Sequence, residues 1–374
     1  MAKIVILGPA YPLRGGGMST FNERLAREFI KKGHQVIIYT FSLQYPSILF
    51  PGKTQYSDDQ PPVDLHIKVK VNSINPFNWI RIGTELKKER PDFLVIRYWI
   101  PFMALCLGTI ASMTRKNRHT RIVGIIDNAI PHEKRPFDTN LTRFFLNRMD
   151  KCITMTKKVE KDLIKLKTPP EKLARCMHPL YDNYGEAIDK VEARKALNIN
   201  NKDHLILFFG FIRDYKGLDL LIKAMANENV RKEDVKLLVA GEFYTKPQPY
   251  EDLVQSLHLK ESIIWHNHFI ANDLIRVYFS AADLVVQPYK QATQSGVTQI
   301  AYYFETPMVV TNVGGLPEMV THQKAGYVVQ PHENDIAAAI VDYFKNNRKQ
   351  YFRKGIKEEK KRFSWETITQ LIMS

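Results

Sequence analysis

Residues 204–217 have the sequence HLILFFGFIRDYKG, and this stretch decides the fold and the chemistry that we expect. Residues 205–209 are all apolar, which is typical of a buried strand in a parallel sheet. The apolar run stops at Gly210, and an amphipathic helix is predicted directly after Gly217. Arg213 and Lys216 therefore lie in the loop between a strand and a helix. Two cations beside the positive end of a helix dipole predict a site for a phosphate or diphosphate.

The same alternation of apolar strands and amphipathic helices extends from this stretch in both directions. In the first half, strands are predicted at 3–7, 35–40, 93–97, 121–126 and 151–155. After a polar linker over 181–202, they are predicted at 204–209, 235–240, 262–265, 284–287 and 308–311. We expect two Rossmann-like, doubly wound α/β domains facing across a cleft, with the ligand at the carboxyl ends of the strands.

The composition fits this two-domain interpretation and an anionic partner. The chain has 374 residues and a formal net charge of +15, which suits nucleic acid, an anionic membrane surface or a phosphorylated substrate. Its cysteines, Cys106, Cys152 and Cys176, are spaced too widely for a zinc site and fit a reducing compartment. The apolar run at the N-terminus is too short for a signal peptide. We expect a cytoplasmic protein that also acts at the inner face of the plasma membrane.

Two loops of the first half carry candidate site residues. Gly15, Gly16 and Gly17 separate the first strand from the first helix, where glycines let backbone N–H groups approach an anion or a sugar. Asp127 and His132 follow the strand predicted at 121–126, and His132 could move a proton or hold a hydroxyl. The plainer alternatives are a flexible connection for the glycines and a solvated side chain for the histidine.

A further loop, Thr293-Gln294-Ser295-Gly296-Val297, precedes an apolar helix in the second half. Ser295 is predicted to cap this helix, and the N–H groups of Gly296 and Val297 suit an anion. An ordinary capped helix without a ligand is the alternative.

Taken in order along the chain, these motifs resemble family-4 glycosyltransferases of the two-Rossmann type called GT-B. The family pattern G-x2-R-x2-K-G matches Gly210, Arg213, Lys216 and Gly217. The other matching motifs are the glycine loop, Val239 to Glu242, Asp283 with Pro288, Val309 to Glu318, and Phe363 to Trp365. The resemblance covers nearly the whole chain. It implies an acceptor domain at 1–184, a nucleotide-sugar domain at 185–360, and a terminal helix at 361–374 that crosses back to the first domain.

The sequence departs from the family at the two acids of its Glu-x7-Glu motif. One register places Ala292 and Ile300 at those positions, and the other places Gln291 and Gln299 there. Residues 293–297 must then supply sugar or phosphate contacts that the acids provide in related enzymes.

The resemblance implies a retaining sugar transfer from a nucleotide-sugar, without a metal ion or another cofactor. Arg213 and Lys216 would neutralise the diphosphate leaving group. Asp127 stands where the family has a catalytic histidine, and His132 is the nearest substitute. The implied donor contacts are Gly16, Gly17, Gly210, Gly217, Glu242, Thr293, Gln294, Ser295, Gly296 and Val297. A glycan or a lipid-linked glycan is the implied acceptor, and aromatic and basic residues over 75–88 predict a peripheral contact with an anionic membrane.

Other functions remain open from the sequence. A degenerate transferase that only binds the nucleotide-sugar fits the missing acids, because function depends on the site and not on the fold. A phosphorylase-like enzyme or a nucleotide-binding oxidoreductase also fits the fold, although no GxGxxG loop with a strand-end acid follows the first strand. A nucleic-acid-binding protein fits the charge, but the chain has no helix-turn-helix, RNP or zinc signature, so we expect no nucleic-acid partner.

Overall fold

The computed structural model describes residues 1–14, 16–46, 54–57, 60–130 and 136–374. The chain forms two compact units. One consists of Met1–Pro179 with Ser364–Ser374, and the other of Leu180–Phe363. The functions that the resemblance implies for the two halves of the chain stay predictions.

The N-terminal unit contains parallel strands with helices between them. The strands are β1 Lys3–Leu7, β2 Gln35–Leu43, β3 Ile67–Asn72, β4 Phe93–Tyr98, β5 Arg121–Ile126, β6 Lys151–Thr154 and β7 Leu173–Arg175. The helices are α1 Gly17–Lys31, α2 Pro76–Glu89, α3 Ala104–Arg115, α4 Asp138–Leu146 and α5 Lys157–Lys165. The strands pair in the order β3-β2-β1-β4-β5-β6-β7. This reversal of chain order beside β1 is that of a Rossmann-type sheet, as predicted.

The C-terminal unit repeats this architecture. Its strands are β8 His204–Phe209, β9 Val235–Ala240, β10 Ile263–His266, β11 Leu284–Gln287, β12 Met308–Thr311 and β13 Gly326–Val329. Its helices are α6 Lys190–Ala196, α7 Leu218–Met225, α8 Glu228–Lys232, α9 Gln248–Ser256, α10 Ile275–Ala281, α11 Gly296–Tyr303, α12 Leu316–Met319, α13 Glu333–Lys345 and α14 Lys349–Glu359. The strands pair in parallel in the order β10-β9-β8-β11-β12-β13. The predicted pair of doubly wound sheets is confirmed.

The central strands match the sequence prediction because both of their faces are covered by helices. Every residue of β11 is buried, and so are five of the six in β8, which is why these strands are continuous apolar runs. The sequence analysis missed β3, β7 and β13. In β3, apolar residues alternate with lysines because the strand lies at the edge of the sheet. The strands β7 and β13 have only three and four residues, too few to show a period.

The last helix, α15 Trp365–Met373, belongs to the N-terminal unit. The Ser364 hydroxyl caps this helix by accepting a hydrogen bond of 3.1 Å from the Glu366 N–H. The Trp365 ring packs on Phe21 of α1 at 4.9 Å between centroids, and Lys32 Nζ donates to Thr369 Oγ1 at 2.8 Å. None of the described helices is long and apolar enough to cross a membrane.

Asp283, directly before β11, accepts hydrogen bonds from four groups at the amino end of the C-terminal sheet. Its carboxylate accepts hydrogen bonds from Lys190 at 2.5 Å, from Arg194 at 2.8 Å and from Lys349 at 3.2 Å. It also accepts one from the Leu205 N–H at 3.1 Å. Burial alone would raise the pKa of Asp283, but the hydrogen bond from Lys190 and the charges of Lys190 and Lys349 hold that pKa below its usual value. The ionised carboxylate therefore joins α6, α14 and two central strands.

We expect D283N to destabilise the C-terminal unit by about 3 kcal/mol, because the buried guanidinium of Arg194 would lose its counter-charge. Chemical denaturation at pH 7 measures this change in the free energy of unfolding. The folded pKa of Asp283 lies below the unfolded value. The stability from its ionised form is therefore present above about pH 4 and is lost as the pH falls through the folded pKa. Accordingly, D283N should reduce the loss of stability in acid.

The matched control is D234N, because Asp234 pairs with Lys236 at an exposed site. Its free energy of unfolding should change by less than about 0.5 kcal/mol. Equal stability of D283N and D234N would contradict the structural role of Asp283.

Candidate functional site

The strand order of the C-terminal unit reverses between β8 and β11, which pair directly. The chain leaves these two strands toward opposite sides of the sheet. A crevice for ligands forms where connections diverge in this way, at the carboxyl ends of the strands. Residues 210–217 follow β8, and residues 288–295 connect β11 to α11. Five of the ten predicted donor contacts lie in these two loops, and Gly296 and Val297 follow at the start of α11.

Arg213 and Lys216 are half-buried in the loop after β8. The guanidinium carbon of Arg213 lies 5.0 Å from the centre of the Tyr244 ring, and Lys216 Nζ lies 5.7 Å from the centre of the Tyr289 ring. Both distances suit cation–π contacts, which hold a cation without using its hydrogen-bond donors. Within the part of the chain that the structure describes, neither side chain pairs with an acid. Their N–H groups are therefore available for an anion.

The two loops are fixed to each other through the backbone. The N–H of Lys290 donates to the carbonyl of Tyr215 at 2.7 Å. Gly217 has a left-handed φ of 68°, and a side chain there would overlap the carbonyl of Pro288. Only glycine combines this conformation with so close an approach. The position of the cations is thus coupled to the loop that leads into α11.

The start of α11 differs from the prediction in one respect. Ser295 occupies the N-cap position, but its side chain does not cap the helix. Its hydroxyl instead donates to Gln287 Oε1 at 2.6 Å. The next residue, Gly296, packs against the ring of Tyr181, whose Cε2 would lie 2.9 Å from a Cβ atom there. This contact fixes the first turn of α11 and leaves no room for a side chain at position 296.

Lys216 and the start of α11 both lie close to Gly210. A Cβ atom at Gly210 would lie 3.0 Å from Lys216 Nζ and 3.9 Å from Val297 Cγ2. The ammonium group of Lys216 and the Val297 side chain in the first turn of α11 therefore lie beside the same glycine. The structure thus brings together Gly210, Lys216 and Val297, as expected of residues that share one ligand.

The remaining predicted donor residues of this unit are Thr293, Gln294 and Glu242. Thr293 and Gln294 are partly exposed just before α11. Glu242 is buried directly after β9, and its carbonyl accepts the Ile212 N–H at 2.8 Å. Their contacts with a donor stay predictions.

The other predicted site residues belong to the N-terminal unit. Gly16 precedes α1 with an extended backbone, and Gly17 is the first residue of that helix. A Cβ atom at Gly16 would meet no atom within 4 Å, so packing among the described residues does not require glycine there. Gly15 and His132 lie outside the described residues, and the proposed role of His132 stays a prediction.

Asp127 has a partner that the sequence did not reveal. Arg97, near the end of β4, donates from Nε to one carboxylate oxygen at 2.5 Å and from Nη2 to the other at 2.6 Å. Both side chains are buried, and the guanidinium carbon lies 3.9 Å from the centre of the Phe21 ring. A bidentate pair of this kind fixes the carboxylate firmly. The catalytic role of Asp127 stays a prediction.

The sequence analysis also missed a buried polar cluster beneath α11. Gln287, the last residue of β11, contacts Ser295 and Thr298, and the Thr311 hydroxyl donates to the carbonyl of Tyr289 at 2.6 Å. A glutamine at the end of an otherwise apolar strand was the available signal. Its partners lie eight and eleven residues further along the chain, so their contacts appear only after folding.

The environment of Lys216 shifts its protonation equilibrium. Desolvation of the ammonium group and, second, the positive charge of Arg213 lower the pKa of Lys216 to about 7. A bound diphosphate would favour the protonated form and raise this pKa again.

Among the described residues, no group of three or more His, Cys, Asp or Glu side chains could hold a metal ion.

Two Rossmann-type sheets, with a pair of cations at the switch point of the second, define a GT-B glycosyltransferase. Two family models match the chain: "Glycosyltransferase Family 4" over residues 15–175 and "Glycosyl transferases group 1" over residues 189–362. The chain belongs to the family-4 glycosyltransferases.

Individual proteins agree with this assignment. The chain is 25% identical to an uncharacterized glycosyltransferase of Methanocaldococcus jannaschii, over 98% of this chain and 96% of that protein. It is 23% identical to the N-acetyl-alpha-D-glucosaminyl L-malate synthase of Bacillus anthracis, over 84% of this chain and 81% of that protein. Among solved structures, HepE from Anabaena in complex with UDP has a TM-score of 0.75 at 16% identity, covering 99% of this chain and 98% of that one.

We expect nucleotide binding to take up a proton above pH 7. The free protein has Lys216 with a pKa of about 7, so at pH 8 most of the side chain is neutral before binding. A diphosphate that requires the ammonium form should draw in about one proton, and affinity should fall as the pH rises from 7 to 9. Titration calorimetry at pH 8 in two buffers of different ionisation enthalpy measures this uptake. In K216M the uptake should disappear, whereas an uptake unchanged by K216M would refute the assignment.

Proposed function

We propose that this protein is a retaining, metal-independent glycosyltransferase that moves a sugar from a nucleotide-sugar to a glycan or a lipid-linked acceptor. The observation that carries the proposal is the pair Arg213 and Lys216, which lies without an acidic partner among the described residues at the switch point between β8 and β11. A UDP-sugar is the first donor to test, because the similar structure of HepE contains UDP.

The proposed reaction needs charge stabilisation more than a protein base. The acceptor hydroxyl attacks the anomeric carbon from the face on which the diphosphate departs. As the new carbon–oxygen bond forms, the bond to the diphosphate breaks, and the hydroxyl proton passes to the leaving phosphate oxygen. Arg213 and Lys216 would stabilise the negative charge that develops on this oxygen. This route is compatible with the absence of the two acids of the Glu-x7-Glu motif.

We expect R213A and K216A each to lower kcat for sugar transfer by about 10²–10³-fold, the usual effect of removing one preorganised group that stabilises developing charge. Both variants should keep the wild-type melting temperature within a few degrees, because neither side chain pairs with an acid in the described structure. The assay follows release of UDP, GDP or ADP from a panel of nucleotide-sugars, with and without a chelator.

The matched control is K223A, which removes an exposed lysine from the helix that follows the same loop. Its activity should equal that of the wild type. Full activity of R213A and K216A would exclude the proposed site. A wild-type protein that binds a nucleotide-sugar but transfers no sugar would instead support the degenerate, binding-only alternative.

We further propose that the protein contacts an anionic membrane through the exposed face of α2. Phe77 is 85% exposed, and Ile74 and Ile80 are 49% and 47% exposed. Arg81 and Lys88 lie about one and three turns beyond Phe77 on the same side of the helix, and both are exposed. The opposite face, with Ile82 and Leu86, is buried. Apolar side chains beside cations suit the interface of an anionic membrane.

We expect the double variant F77S/I80S to bind vesicles of anionic phospholipid about tenfold more weakly than the wild type, because it loses the apolar side chains that would enter the interface. Vesicle sedimentation at physiological salt measures the bound fraction. V191S, which removes a half-exposed valine from α6, should bind as the wild type does. Equal binding by F77S/I80S and V191S would show that this face of α2 does not contact the membrane.

A further inference from the structure

Gln287 is a buried polar residue with no role in the proposed reaction. It ends the apolar strand β11 and is only 2% exposed. Its Oε1 accepts the Ser295 hydroxyl at 2.6 Å, and its Nε2 donates to Thr298 Oγ1 at 3.2 Å. The same oxygen lies 3.3 Å from Thr298 Oγ1. One side chain therefore contacts both the N-cap residue of α11 and the third residue of that helix.

A serine at the N-cap normally accepts a hydrogen bond from an N–H group of the first turn. Other helices of this protein follow that rule, since Asn75, Thr156 and Ser364 each accept from the helix they precede. Ser295 has the extended backbone of an N-cap, with φ −137° and ψ 120°, but its hydroxyl is turned to Gln287. Among the described side chains, the Ser295 hydroxyl also lies 3.4 Å from the Tyr289 hydroxyl, but the shorter contact with Gln287 is the one that takes the place of the cap.

The consequence concerns the ligand. The N–H groups at the start of a helix are orphan donors, and either a cap or an anion can satisfy them. A Ser295 cap would compete with a phosphate for these donors. The first turn of α11 is also the part of the helix that borders Gly210 and Lys216, so an anion held there would meet the ammonium group as well.

We propose that Gln287 is a positioning residue of the donor site, which holds the Ser295 hydroxyl away from α11 and so keeps the N–H groups of the first turn available for the donor diphosphate. This inference rests on the proposed function, because it assumes a nucleotide donor. Gln287 is buried beneath the helix and acts through Ser295, without contact to the donor.

The main test is Q287M, which keeps the approximate volume of the side chain and removes its hydrogen bonds to Ser295. The Ser295 hydroxyl, left only with its long contact to the Tyr289 hydroxyl, should then cap α11 and compete with the nucleotide. UDP, GDP and ADP are first titrated into the wild type, and the one bound most tightly is the probe. Calorimetry should show a dissociation constant about fivefold higher in Q287M, the factor that corresponds to a typical serine cap.

The matched control is T298V, which breaks the other hydrogen bonds of Gln287 but leaves the Ser295 contact in place. It disturbs the same buried cluster, yet its affinity for the probe should stay within twofold of the wild type. If T298V weakens binding as much as Q287M does, general loss of packing explains both effects and the proposal is overturned.

The decisive measurement is the double variant Q287M/S295A. Without a hydroxyl at position 295 no cap can form, so the double variant should bind the probe more tightly than Q287M. A purely structural role of Gln287 predicts the opposite, because two changes in one buried cluster should impair it further. Binding no tighter than that of Q287M overturns the proposal.

A second variant covers the case in which Q287M fails to fold, as judged by circular dichroism and melting temperature. Q287N keeps an amide but is one methylene too short to hold Ser295 at its present distance, so it should show the same loss and the same rescue by S295A. Failure of this inference is separable from failure of the proposed function. If the wild type binds no nucleotide, the donor site itself is refuted. If the wild type binds but the variants do not follow this order, only the role of Gln287 is refuted.

Discussion

The pairing of β8 with β11 is the constraint on which the rest of the C-terminal unit depends. These strands are neighbours in the sheet although β9 and β10 lie between them in the sequence. The connections after them must therefore diverge, and both must end at the same edge of the sheet. Asp283 secures this arrangement from the amino end of β11, where its carboxylate accepts the Leu205 N–H of β8 and three cationic side chains. At the carboxyl end, the Lys290–Tyr215 backbone hydrogen bond holds the diverging loops together.

The charged side chains at the amino and carboxyl ends of β8 and β11 are balanced in different ways. Beneath the sheet, the carboxylate of Asp283 is surrounded by cations, and burial is offset by pairing. At the opposite edge, desolvation and, second, the charge of Arg213 lower the pKa of Lys216, and aromatic rings lie beside the two cations in place of acids. Keeping like charges together in a half-buried place opposes folding. An anion that binds there relieves this repulsion. The repulsion between the two cations in the folded protein therefore favours anion binding.

The sequence predicted those features that depend on local pattern. The apolar run before Gly210, the cations at Arg213 and Lys216, and the doubly wound order all follow from residues that lie close together along the chain. The edge strand β3 and the short strand β13 were missed because exposure and length hide the period in such elements. The orientation of the Ser295 hydroxyl could not be predicted from the sequence either. Local propensity favours a cap at that position, and only the folded sheet brings Gln287 close enough to compete for the hydroxyl.

Main-chain contacts fix much of the loop over residues 289–292, and the side chain of Lys290 adds an ion pair with Asp219 at 2.7 Å. The carbonyl of Tyr289 accepts from Thr311, the N–H of Lys290 donates to Tyr215, and the carbonyl of Ala292 lies so close to Gly314 that no side chain could fit there. None of these contacts depends on the side chains at positions 290–292. A substitution of the exposed Gln291 can accordingly alter the chemical character of the loop while the path of the chain is preserved, whereas Ala292 is buried. A loop built in this way can exchange an exposed side chain, an acidic one for a neutral one included, by a single replacement that leaves the backbone contacts in place.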